Sequence, residues 1–190
     1  MTTHHKVGYL IGSLSSTSIN RLLAKALVKL APSELTMTEI PFRELTPYSQ
    51  DHDKDYPPVA RDFKNAIAQS DAILFVTPEY NRSIPGALKN AIDWASRPYG
   101  QNAFTRKPSA VIGASPGAIG TAVGQQSLRA VLSFCNAPQM TSPEAYIQFK
   151  PGLITEDGDV TVDSTREFLS TFMKEFHDFA TRVRSALPQD

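Results

Sequence analysis

The chain has 190 residues, of which 41% are apolar, and carries 19 basic against 19 acidic side chains. That length suits one well-cored domain over residues 1–190, and a net charge of zero leaves no field to draw in nucleic acid or an anionic membrane. No apolar run approaches the roughly 20 residues that span a bilayer, and residues 1–6 lack the apolar stretch of a signal peptide, so a cytoplasmic protein is expected.

Residues 6–11 read as a first strand, and Ile19, Leu22, Leu23, Ala26, Leu27 and Leu30 then recur at helical spacing. Alternation over 35–40 predicts a second strand closed by Pro41, followed by a long connection rich in Pro and Asp that runs to about residue 58. A helix over 59–69, a continuously apolar strand over 72–76 and a helix over 86–96, stopped ahead of Pro98, come next. A strand over 109–114, a helix over 119–134, a strand over 140–147 and an amphipathic helix over 163–184 complete the alternation. A single cysteine, Cys135, excludes an internal disulfide and, among Val131, Leu132 and Phe134, reads as a packed thiol.

Five strands alternating with five helices predict an α/β three-layer sandwich around a five-stranded parallel sheet. The commonest form at this length is flavodoxin-like, with strand order 2-1-3-4-5. Its direction reverses between the first and third strands, which sets the loops after Ile11 and Val76 side by side at the carboxyl edge, where such sheets bind ligands.

Three loops at that edge carry the chemistry. The first, GSLSSTSIN from Gly12 to Asn20, leads from strand to helix and offers hydroxyls, backbone N–H groups and the positive end of a helix dipole. A terminal phosphate there would rest on Ser13, Ser18 and Asn20, with Arg21 adding charge; the competing reading is simple N-capping by Ser18. Neither G-x-x-x-x-G-K-[ST] nor G-x-G-x-x-G is present, so a mononucleotide fits better than a triphosphate or a dinucleotide.

The second loop, TPEYNRSIPG, is stiffened by Pro78 and Pro85 and places Pro78, Glu79, Tyr80, Asn81, Arg82 and Ser83 at a strand end. Its Asn81-Arg82-Ser83 match to a glycosylation acceptor is accidental in a chain expected to be cytoplasmic. The third loop, GASPGAIGT, begins with the G-x-S-x-G pattern of a hydrolase elbow. There the residue after the serine must donate its N–H, and here it is Pro116, which has none. The later histidine, His177, sits on the amphipathic last helix, where a surface position is the simple explanation. This glycine-rich loop suits instead the wrapping of a planar ring, with N–H groups toward its carbonyl oxygens. Asp51 to Asp55 begins like a calcium loop, but Tyr56 occupies the position that needs glycine, so it reads as a solvated loop; Tyr48 and Tyr56, in the same connection, either border an active site or are surface aromatics without a catalytic role. Trp94 faces either the core or a partner subunit.

The segment TPEYNRSIPGALKNAIDW is similar at every defined position to the T-P-E-Y-N-x-S-x-P-G-x-L-K-N-A-I-D-W signature of the NADPH-dependent FMN reductase family, which includes quinone and chromate reductases. The resemblance extends over about residues 6–185. The first loop resembles the family pattern G-S-x-R-x-x-S at Gly12, Ser13 and Ser18, with Ser15 where arginine is usual. The resemblance implies FMN as cofactor and NADPH or NADH as co-substrate. It implies that Ser13, Ser15, Ser18, Ile19 and Asn20 bind at the phosphate, that Pro78, Glu79, Tyr80, Asn81 and Ser83 line the isoalloxazine and ribityl portion, and that Ser115, Gly117 and Gly120 approach the ring.

By the same resemblance no catalytic side chain and no metal is required, since FMN would take hydride from NAD(P)H and pass it on to a quinone, free flavin, chromate or azo-type acceptor in ping-pong order. The competing function is a flavodoxin-type electron carrier without direct NAD(P)H turnover, although zero net charge lacks the acidic surface such carriers dock with. Family members are commonly homodimers or homotetramers, which makes Trp94 and the helix over 87–95 interface candidates.

Overall fold

The computed structural model describes residues 3–187. In chain order come β1 His5–Ile11, α1 Ile19–Leu30, β2 Leu35–Glu39, α2 Pro58–Gln69, β3 Ala72–Val76, α3 Gly86–Ser96, β4 Ser109–Ser115, α4 Ala122–Phe134, β5 Tyr146–Gln148 and α5 Asp163–Ala186. All pairings are parallel and the order is β2-β1-β3-β4-β5, the flavodoxin-like arrangement.

Every residue of β3 is buried, because helices cover both of its faces. Alternate side chains point to opposite faces. Leu74 and Val76 join Leu23 and Leu27 of α1 and Phe172 and Phe176 of α5 in one core. Ile73 and Phe75 join Phe63 and Ile67 of α2, Leu88 of α3 and Leu128 of α4 in the other. Cys135 is buried in this second core, and burial pushes its thiol pKa up. Its neighbour Phe134, by contrast, is 81% exposed.

Two elements are shorter than their patterns predict. Residues 139–140 touch the start of β4, where the Met140 N–H donates to the Ser109 carbonyl, but the chain then leaves the ladder across Pro143, which has no N–H to give. Pairing resumes only from Tyr146 to Gln148. Helix α4 begins at Ala122 rather than at residue 119, because Gly120 takes φ +58° to pass within 2.8 Å, measured from an added Cβ, of the Tyr146 backbone.

The connection between β2 and α2 keeps Asp51, Lys54 and Asp55 exposed, as expected of a solvated loop, while its Tyr48, His52 and Tyr56 are half-buried. It packs over Trp94, which is fully buried. The indole N–H donates to the Thr46 carbonyl at 2.7 Å, while Tyr48 and Tyr56 meet the ring edge-on at 5.2 and 5.1 Å and His52 lies at 5.5 Å. Burial, helped by Asp53, pushes the Tyr48 hydroxyl up to about 12. The Tyr56 hydroxyl lies 2.7 and 2.8 Å from the carbonyls of Trp94 and Arg97 and shares its one proton between them. Trp94 is thus a core residue, which removes it as an interface candidate, and Tyr48 and Tyr56 serve to hold it.

His177 lies at the surface, as expected, though its side chain is partly covered. Its ring lies 5.6 Å from that of His5, and Nε2 sits 2.9 Å from the Thr3 carbonyl oxygen. Burial resists its charging, but the Thr3 carbonyl and the Asp178 carboxylate prevail and raise its pKa, whereas burial lowers that of His5.

Candidate active site at the carboxyl edge of the sheet

Three loops leave adjacent strand ends and are held edge to edge. The Gly12 N–H donates to the Val76 carbonyl at 2.8 Å, and the Thr77 N–H donates to the Ile112 carbonyl at 3.0 Å. Thr77 is buried between two glycines: a Cβ on Gly12 would lie 2.4 Å from its Oγ1, and one on Gly113 would lie 2.1 Å from its carbonyl oxygen. Only hydrogen fits at either position. Thr77 and these contacts were not singled out from the sequence, since nothing local marks them.

In the first loop, Ser13 and Ser18 are buried, with Ser18 only 8% exposed. Ser18 occupies the N-cap of α1 in extended conformation, yet its hydroxyl makes no capping bond. Its carbonyl instead accepts the N–H groups of Arg21 and Leu22. The leading N–H groups of α1, from Ile19 and Asn20, have no intrahelical partner, no side chain caps them, and the first turn contains no acid. A hydroxyl on a largely buried residue, without a partner in the protein and open beside the positive end of a helix dipole, fits a phosphate monoester better than it fits a cap.

Around it, the Ser13 hydroxyl accepts the Ser15 N–H at 3.3 Å, and exposed Ser15 accepts the Thr17 N–H. Asn20 turns to β4 rather than to the loop mouth: its Oδ1 accepts the Ala114 N–H and its Nδ2 donates to the Ala114 carbonyl, both at 2.9 Å. Arg21 is engaged by both carboxylate oxygens of Glu39, at 3.1 and 3.0 Å. Half-buried Ile19 packs against the core beneath α1.

The second loop folds into a two-residue hairpin turn. Tyr80 and Ser83 exchange both backbone hydrogen bonds at 2.9 Å, with Asn81 and Arg82 at φ +51° and +61°. Both central residues at positive φ describe a type I′ turn, which Asn suits and Arg seldom enters. Tyr80 is 50% exposed at its tip, and Asn81 is exposed beside it, while Ser83 and Pro78 are half-buried. The Glu79 carboxylate points inward, accepting the Gly124 N–H at 2.9 Å and pairing with Arg82 at 3.0 Å. Gly124, unremarked in the sequence, is small because a Cβ there would come within 3.0 Å of the Ser83 carbonyl oxygen.

In the third loop the Gly117 N–H is taken by the Ser115 hydroxyl at 3.1 Å, and the Gly120 N–H by the Gly117 carbonyl at 3.0 Å. Those two amides are therefore engaged within the loop itself. Between them, the N–H groups of Ala118 and Ile119 donate to no acceptor among the described residues, and Ile119 is 47% exposed.

A sequence profile of the NADPH-dependent FMN reductase family matches residues 5–152, which include all three loops. The chain belongs to that family. It is 48% identical over 171 residues to a 2-hydroxy-1,4-benzoquinone reductase of Burkholderia sp, covering 90% of this chain and 93% of the relative. It is 45% identical over 177 residues to a quinone reductase of Pseudomonas putida, covering 93% and 95%. Among solved structures, FerB, a flavoenzyme NAD(P)H:(acceptor) oxidoreductase from Paracoccus denitrificans, superposes with TM-score 0.90 at 44% identity, covering 94% of this chain and 98% of that one. As an FMN reductase family member the chain is an oxidoreductase working with FMN and NAD(P)H. FMN ends in a phosphate monoester, and the acid-free head of α1 with the hydroxyls of the largely buried Ser13 and Ser18 is chemically suited to it.

Proposed function

We propose that this chain is a single FMN-binding domain acting as an NAD(P)H-dependent quinone reductase. The observation that carries the reading is Ser18, a largely buried residue at the head of α1 whose hydroxyl has no hydrogen-bond partner within the protein and stays open at the edge where the three loops meet. Ser13, Ser18 and the N–H groups of Ile19 and Asn20 would hold the FMN phosphate, with Ser15 at the outer rim. Pro78, Tyr80, Asn81 and Ser83 would flank the ribityl chain and ring on one side, and Ser115, Gly117 and Gly120 would shape the loop on the other. Asn20 and Glu79 act as struts, fastening the loops to β4 and α4.

When bound, FMN supplies two-electron exchange between a reduced nicotinamide and an oxidant, each visiting in turn. The protein's part is orientation and electrostatics. The unbonded N–H groups of Ala118 and Ile119 lie just ahead of α4, whose positive dipole end favours negative charge on a neighbouring ring. Exposed Tyr80, Ile119 and Val123 give the edge apolar surface suited to a planar aromatic acceptor. Quinones are the primary acceptors in this reading, with free flavin, chromate and azo dyes as further ones. The chain works in the cytoplasm as a homodimer or homotetramer, and exposed Val123 and Phe134 of α4 are apolar groups that assembly would cover.

The test is to purify the yellow protein, quantify bound FMN, and mix it with NADPH or NADH in a stopped-flow instrument. Rapid bleaching, reoxidation by a quinone and parallel double-reciprocal plots are expected. Absence of FMN, or no bleaching, overturns the reading. Light scattering gives the assembly state.

A further inference from the structure

We propose that Arg43 supplies the cationic charge for the phosphate monoester held at residues 12–18, taking over from the arginine that the family pattern carries at position 15. This rests on the FMN reading above. The segment GSLSSTS has no charge of its own, since Ser15 stands at the arginine position. Arg21 does not make good the loss, because Glu39 holds its guanidinium with both oxygens. Arg82 is likewise paired with Glu79.

Arg43 comes from a different element. It lies four residues beyond the end of β2, whose pairing with β1 brings the start of the following connection beside the first loop. Its Nη2 donates to the carbonyl of Leu14, the residue between Ser13 and Ser15. Among the described residues it is the only charged side chain hydrogen-bonded to the 12–18 loop, and none of them pairs it with a carboxylate. A guanidinium carries five donors in a rigid fork, and the bond to Leu14 uses one.

The electrostatics point the same way. A cation bound at Leu14, in the loop that leads into the positive end of α1 and with no acid in that helix's first turn, adds to charge of the same sign. A dianion held by the loop relieves it, and the Ser18 hydroxyl, without a partner in the protein, and the Ser13 hydroxyl belong to the same loop. The same phosphate chemistry occurs on the adenosine ribose of NADPH. Leu14 belongs to the loop that would cradle the FMN phosphate, so FMN is the ligand assigned.

Apoprotein of the wild type, R43A, R43Q, R43K and the double variant S15R/R43A should be titrated with FMN and with riboflavin by flavin fluorescence at two salt concentrations. Loss of a charge-assisted bond should weaken FMN binding by about tenfold or more in R43A and R43Q, with a shallower salt dependence and less effect in R43K. Riboflavin affinity should not change, and S15R should restore most of the FMN affinity lost in R43A. FMN affinity in R43A equal to that of the wild type overturns the assignment. So does an equal loss for FMN and riboflavin that S15R fails to restore, since that reports a loop support only. Unchanged FMN binding with a raised KM for NADPH but not for NADH places the charge on the nicotinamide cofactor and also overturns it. If the wild-type apoprotein itself does not take up FMN, the functional reading falls, and this assignment with it.

Discussion

The Glu79 carboxylate accepts the backbone N–H of Gly124 at 2.9 Å, so the loop leaving β3 is fastened to the first turn of α4, 45 residues further along the chain. A carboxylate at this position satisfies an orphan helix donor and complements the dipole. Glu79→Ala should therefore lower stability by ~1–2 kcal/mol. Glu79→Gln keeps an acceptor for Gly124 and should lose less, because the pair with Arg82 is mostly solvent-exposed on the arginine side. Urea unfolding of the two variants checks the order.

Ser18→Ala separates capping from ligand binding. Removing a serine that caps a helix costs about 1 kcal/mol. Here the hydroxyl makes no such bond, so the apoprotein should unfold within ~0.5 kcal/mol of the wild type. FMN affinity should nonetheless fall by roughly fivefold or more, with riboflavin affinity unchanged, because only FMN carries the phosphate. Ser13→Ala should act in the same direction.

Asn20 makes the opposite trade. Both of its side-chain bonds go to the buried backbone of Ala114, and removing them leaves an N–H and a carbonyl unpaired inside the protein. Asn20→Ala should cost ~2–4 kcal/mol. Asn20→Asp keeps the acceptor but sets an oxygen against the Ala114 carbonyl, so it should not recover the loss. Chemical denaturation of the apoprotein measures both.

Lys107 governs an alkaline response. Its Nζ donates to the carbonyls of Ala68 and Ser70 at 3.2 and 2.6 Å, at the end of α2. Burial pushes its pKa from 10.5 down to about 8, with Arg184 adding repulsion and Asp71 opposing. Because the folded pKa lies below the unfolded one, the unfolded chain binds more protons between pH 8 and 10.5, and this group's contribution to stability rises with pH across that window. Between pH 7.5 and 9.5 the wild type should gain ~2 kcal/mol of unfolding free energy relative to Lys107→Met. Denaturation curves at the two pH values give the difference, and equal slopes would contradict it.

The strand and helix order was legible because each element carries a strong local pattern. β3 is apolar throughout, α1 has one apolar stripe, and right-handed crossovers then lead to the observed strand order. β5 was overextended because the apolar residues Met140 and Ala145 are buried without being laddered to β4 over the whole stretch. At the candidate site, the placement of the three loops follows from strand order, but the direction each polar side chain takes does not. Asn20 bonds 94 residues away and Glu79 bonds 45 away, distances over which no spacing rule operates. Arg21 read as the available cation because it is adjacent in sequence, whereas its pairing with Glu39 exists only once β1 and β2 are side by side. Trp94 was ambiguous for the same reason, since its cover comes from a connection 38 to 48 residues upstream.

That cover has a practical corollary. The chain contains one tryptophan, and the stretch that seals it continues directly from the residues carrying Arg43. Indole emission is therefore a built-in optical gauge of whether this stretch is seated, readable in the apoprotein without any flavin signal. A red shift confined to mild denaturant, ahead of the loss of helical dichroism, would time the lifting of the cover separately from the melting of the sheet.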